Sequence, residues 1–204
     1  MRELRPVETI GRVAAPILLY GLLAMIYPRL MGTISGGRLL KQEAGMWLLS
    51  AGNFLMLPVF WVMYRRDRKE RESYGLQGHG IDQAKRPAYG WKFRDLFLVI
   101  LGAVCISRGV NDFLALTFLP RLFPGYERFT EEMLSGSLLS QIMAGVISAP
   151  LLEEVLMRGL IYGRLKEGVK SPRTAMLLSA LIFGLFHGNV VQGLYAFVVG
   201  LFFA

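Results

Sequence analysis

A chain of 204 residues that is 53% hydrophobic, with a mean hydropathy of +0.43, is too apolar for an ordinary soluble domain of this length. Its net charge of +8 does not point to nucleic acid, because no stacking or groove-reading motif accompanies it. Lys and Arg gather instead between long apolar runs, as they do in the cytoplasmic loops of polytopic membrane proteins. The one cysteine, Cys105, excludes an intrachain disulfide.

About 20 apolar residues cross a bilayer. By that measure the chain predicts an all-α, polytopic transmembrane bundle of about six helices, a single domain over residues 1–204 surrounded by membrane lipid. The first helix is expected over 10–27. Arg2 and Arg5 precede it as in a signal peptide, but its end, Tyr27-Pro28-Arg29, has no small-x-small cleavage site. A second helix is expected over 45–64, followed by a basic loop over 65–94. That loop holds Arg65, Arg66, Arg68, Lys69, Arg71, Lys85, Arg86, Lys92 and Arg94, and a Gly-rich stretch with His79. A third helix spans 96–119 and is ended by Pro120. A fourth covers 138–162, a fifth 174–187, and a sixth begins near Val190.

The charges alternate along this order. Arg164, Lys166, Lys170 and Arg173 follow helix four, while Glu127, Glu131 and Glu132 outnumber Arg121 and Arg128 between helices three and four. The positive-inside rule then places the basic loops and the N-terminus in the cytoplasm. Small residues at helical spacing, Gly159 with Gly163 and Gly145 with Ala149, allow close helix approach in lipid.

Helix four contains three charges in an otherwise apolar run: Glu153, Glu154 and Arg158. Each ionisable residue at a bilayer centre costs on the order of 2.5–3.5 kcal/mol on insertion scales, so each calls for a partner or a function. Glu154 and Arg158 are four apart with the acid N-terminal, the favourable order for an ion pair on one helix face. That pairing leaves Glu153, about 100° around the helix, with no partner on its own helix. Pro150 is either an ordinary tolerated membrane proline or a kink that opens a wet cavity beside the glutamates. Helix five ends on His187. A carboxylate and an imidazole acting on one water make a general-base arrangement.

These residues resemble the two leading motifs of the CAAX-protease and bacteriocin-processing family of intramembrane proteases. Glu153-Glu154-x-x-x-Arg158 is similar to its Glu-Glu-x-x-x-Arg motif, and Phe183-x-x-x-His187 to its Phe-x-x-x-His motif, on consecutive helices. The resemblance covers about 138–204 by motif and the remainder by hydropathy.

It implies a helical endopeptidase with its site sunk in the bilayer, acting on a membrane peptide or protein whose identity stays open. By carry-over Glu153 activates water and His187 binds it, with Glu154, Arg158 and Asn189 supporting the site. Zinc is the implied metal, with Glu153 and His187 as ligands, and a metal-free glutamate mechanism is the other form argued for such proteins. The family's third motif, His-x-x-x-Asn on a later helix, has no counterpart here. Asn189 and Gln192 are the nearest amides, and no histidine follows His187. Residues 190–204 form only about 22 Å of helix against a hydrocarbon core of about 30 Å, so the natural chain is expected to continue beyond Ala204. The alternative is a catalytically inactive membrane adaptor or immunity protein with two motifs of three. A proton-coupled transporter would need repeated halves, and no internal repeat is visible.

Overall fold

The computed structural model describes residues 6–37, 42–73, 92–123, 125, 130–131, 136–169 and 171–203. Every regular element among them is helical. They are α1 (Pro6–Ser35), α2 (Gln42–Ser73), α3 (Phe93–Leu116), a short α4 (Leu119–Leu122), a long α5 (Leu138–Gly168), α6 (Pro172–Phe186) and α7 (Val190–Phe203). The Gly-rich segment with His79, and Glu127, Arg128 and Glu132, lie outside the described residues.

The protein is a membrane protein. Among the described residues three helices are long and apolar enough to cross a bilayer: Val7–Ser35, Ala44–Ser73 and Leu138–Gly168. The helices α6 and α7 are apolar but only 15 and 14 residues long. The helix α3 is long enough but carries the exposed ion pair Arg108–Asp112, at 3.2 Å.

Helix ends differ from the sequence expectation for local reasons. Helix α1 runs through Pro28 to Ser35, because proline within a membrane helix is tolerated where neighbours re-satisfy the backbone. Helix α2 continues nine residues past Tyr64, so Arg65–Arg71 are helical and not loop. An Arg68–Glu72 pair at 2.9 Å, four residues apart, supports this extension. Helix α3 stops at Leu116, short of Pro120. Thr117 is extended there, and its hydroxyl accepts from the Leu119 amide at 3.3 Å, while Pro120 falls in the first turn of α4, where its missing N–H costs nothing.

The chain divides into two compact units. One comprises Met1–Asp67 with Glu127–Ala175, the other Arg68–Tyr126 with Met176–Ala204. In the first, α1 packs along the C-terminal half of α5, and Gly168 is where they approach most closely. A Cβ on Gly168 would lie 2.2 Å from the Thr9 side chain. In the second, α3 packs on α7, and α6 meets α7 backbone to backbone. A Cβ on Gly184 would lie 2.7 Å from the Gly193 carbonyl oxygen, and one on Gly193 would lie 2.8 Å from that of Gly184. Only glycine permits this crossing.

Candidate active site in helix α5 and the α6–α7 turn

Helix α5 is not an ordinary α-helix. It begins with Ser137 as N-cap, then passes through Ile142–Ser148 and Glu154–Tyr162 as π-helix, with one α-helical stretch, Ala149–Glu153, between them. The buried residues explain the wide turns. Ser140, Ala144, Ser148, Leu152, Leu156, Leu160 and Arg164 recur every fourth position and are all almost inaccessible. In a regular α-helix a stripe of period four would drift about 40° per step and wind round the helix. Turns closed by i→i+5 bonds hold about one residue more, so a helix that mixes them with α-helical turns averages about four residues per turn and keeps the stripe on one face. Wide turns of this kind occur frequently at functional sites.

Glu153 stands at the joint, the last residue of the α-helical stretch and three after Pro150. It is half-buried. Within its own unit, no described residue forms a hydrogen bond or ion pair with its carboxylate, whereas Tyr20 of α1 lies within its electrostatic reach. Glu154 and Arg158 form the expected pair, at 2.5 Å, on an exposed face. The first unit therefore holds one compensated acid and one uncompensated acid, side by side. Such an uncompensated carboxylate in a membrane helix is a functional candidate by default.

In the second unit His187 follows the last turn of α6. Its Nδ1 lies 2.8 Å from the Phe183 carbonyl oxygen, which can only accept, so Nδ1 carries the proton and Nε2 keeps its lone pair. The Phe183 ring stands edge-on to the imidazole at 4.9 Å, and Phe186 does so at 6.3 Å. The Phe-x-x-x-His spacing thereby has a local meaning. Phe183 orients the imidazole by both its carbonyl and its ring, leaving a single nitrogen for chemistry.

Asn189 has a structural task that the sequence reading did not foresee. Its Oδ1 accepts from the amides of Val191 at 2.9 Å and Gln192 at 3.3 Å, capping α7. Gly188 before it adopts φ +64°, which lets the chain turn between the two helices. Only the Nδ2 of Asn189 is left to serve a site.

Asn53 and Asp67, both buried, were not singled out from sequence. Asn53 of α2 donates to Ser148 Oγ at 3.2 Å, and Ser148 donates to the Ala144 carbonyl at 3.3 Å. Arg164 donates to Asp67 through Nε at 2.6 Å and Nη2 at 3.2 Å, and through Nη1 to the Arg12 carbonyl. Arg12 in turn pairs with Glu167 at 2.6 Å. Arg164 and Arg12 were read as topology charges, yet they tie three helices together at one end. A signal for α2 was present: Met46, Asn53, Phe60 and Asp67 repeat every seven residues, the period of a packed helical seam, and all are buried.

The comparisons fall on this region. Residues 135–204 match the family of the type II CAAX prenyl endopeptidase Rce1-like proteins. This segment is similar to that family. It includes the whole of α5, α6 and α7, hence Glu153, Glu154, Arg158, Phe183 and His187. No curated protein and no solved structure matches the chain. The Rce1-like family implies a protease in general terms.

A catalytic zinc normally takes three protein ligands and an open position. Among the described residues no three His, Cys, Asp or Glu side chains are grouped to hold a metal ion. Glu153 and His187 are each chemically suited to ligate zinc but belong to different units.

Proposed function

We propose that this protein is an Rce1-like intramembrane endopeptidase that hydrolyses a peptide bond in or near the membrane, with Glu153 as its base. One observation carries the reading. The Rce1-like segment contains, at the joint between two π-helical stretches, a half-buried glutamate that the neighbouring Glu154–Arg158 pair leaves uncompensated.

The chemistry follows from the residue types. Glu153 takes a proton from water, and the water oxygen adds to the scissile carbonyl carbon. As the C–N bond breaks, the protonated Glu153 returns that proton to the leaving amine. In the other unit His187, its Nδ1–H committed to Phe183, keeps the Nε2 lone pair as a hydrogen-bond acceptor. Arg158 neutralises Glu154, so that a second free carboxylate does not oppose ionisation of the first.

The basic end of α2 and Arg164 and Lys166 of α5 belong at the cytoplasmic face by the positive-inside rule. A substrate presented from that face, a membrane-anchored peptide of the CAAX type, suits the arrangement. The test is cleavage of a farnesylated, fluorescence-quenched CAAX peptide by the full chain in lipid nanodiscs. Cleavage lost in Glu153→Gln supports the reading. A well-folded wild-type protein that leaves this peptide and other membrane-anchored peptides intact favours the inactive adaptor instead.

A further inference from the structure

Helix α5 can hold its wide turns only if something keeps them from relaxing to a regular α-helix, and the structure shows what reaches them from outside. The helices α2 and α5 run in the same direction, and their side chains meet in register. Ser140 approaches Met46 Sδ at 3.6 Å, Asn53 bonds Ser148, a Cβ on Gly159 would lie 3.0 Å from the Tyr64 ring, and Asp67 bonds Arg164.

Between its two polar attachments α2 advances fourteen residues, about 21 Å of α-helix. Between the matching attachments α5 uses sixteen residues, which as α-helix would be about 24 Å. The surplus is taken up where the π-helical turns lie.

The upper attachment is the one nearest the chemistry. Asn53 and Ser148 are 5% and 1% exposed, and Ser148 ends the first π-helical stretch, five residues before Glu153. Its hydroxyl is used in both directions, accepting from Asn53 and donating to the Ala144 carbonyl. The same Ala144 carbonyl also accepts the Ala149 amide, so the hydroxyl joins the backbone bond that closes the first π-helical stretch.

We propose that Asn53 and Ser148 are positioning residues: their buried bond fixes, from α2, the wide-turn joint that sets the direction in which Glu153 points. The proposal rests on the reading of Glu153 as the base, and its test separates the two. Asn53→Leu keeps the volume and removes the donor; Ser148→Ala removes the hydroxyl. On the farnesylated probe peptide, each lowers kcat at least tenfold, leaves KM within about twofold and leaves the melting temperature of the purified protein nearly unchanged. The double variant is no worse than either single one, because both remove the same bond.

A readout independent of activity uses Glu153→Cys in a Cys105→Ala background, labelled by a water-soluble methanethiosulfonate. Adding Asn53→Leu changes the labelling rate at position 153 at least fivefold, while the rate at a control cysteine replacing Ser137 stays the same. A kcat that falls only in proportion to folded protein, or an unchanged rate at position 153, overturns the proposal. If the wild type cleaves nothing, the protease reading fails and the labelling rate alone decides the brace.

Discussion

Two adjacent glutamates on one helix have different fates, and the difference lies in what stands one turn away. Glu154 has Arg158 at 2.5 Å, and Glu153 has no such cation in its unit among the described residues. Glu153→Gln keeps size and hydrogen-bonding capacity but cannot take a proton from water. Cleavage of the probe peptide should fall by at least about a hundredfold, within the range assigned to general-base catalysis, with membrane insertion unchanged. Glu154→Gln is expected to behave differently. It leaves the Arg158 guanidinium on an exposed face, and the loss reads mainly as a smaller, partial fall in activity, measured on the same peptide.

At His187, Phe183→Ala removes the ring but keeps the carbonyl that holds Nδ1, so activity should drop less than in His187→Ala. Equal losses in the two variants would show that the carbonyl alone does not hold the imidazole and that the ring is needed to orient it. The sequence made Glu153, Glu154, Arg158 and His187 legible because each is an ionisable group where lipid tolerates few. It did not reveal the capping role of Asn189, since whether an amide caps a helix or faces a substrate depends on the backbone around it. Nor did it reveal Asn53 and Ser148, whose uncharged side chains do not stand out in a membrane helix until their burial is known.

Among the elements, α5 is where local pattern and observed geometry part most clearly. A helix was legible there, but a 3.6-residue reading does not anticipate a buried stripe of period four, and the π-helical turns follow from that stripe. The C-terminal end of α5 makes a separate prediction. Arg164 and Asp67 are 8% and 7% exposed, so Asp67→Asn leaves a buried guanidinium without its counter-charge. Breaking one side of a buried pair costs roughly 3–5 kcal/mol. The purified variant should unfold at a clearly lower temperature, and Asp67→Glu should recover part of the loss. A variant as stable as the wild type would mean that the Arg12 carbonyl and Glu167 suffice to hold this end. In the other unit, Gly184→Val forces a side chain against the Gly193 carbonyl, and such overpacking costs about 1–3 kcal/mol or more. Loss of folded protein in a size-exclusion profile is the expected sign.

For the whole molecule, hydropathy was enough to give an all-helical membrane protein, and helix order was correct throughout. Among the described residues, three helices are long and apolar enough to cross a membrane, and α6 and α7 are shorter apolar helices. Orientation has a direct check. Lys166→Cys should react with a membrane-impermeant maleimide only from the cytoplasmic side, and Ser137→Cys only from the opposite side, in a Cys105→Ala background. Reaction of both from one side would contradict α5 as a spanning helix.

The central claim is that an Rce1-like segment hydrolyses peptides through Glu153, and the most direct measurement is cleavage of the farnesylated CAAX peptide in nanodiscs by wild type and Glu153→Gln side by side. The account predicts a product of the expected mass from the wild type and none above background from a Glu153→Gln protein of equal stability. Equal cleavage by both would remove Glu153 from the chemistry and contradict it.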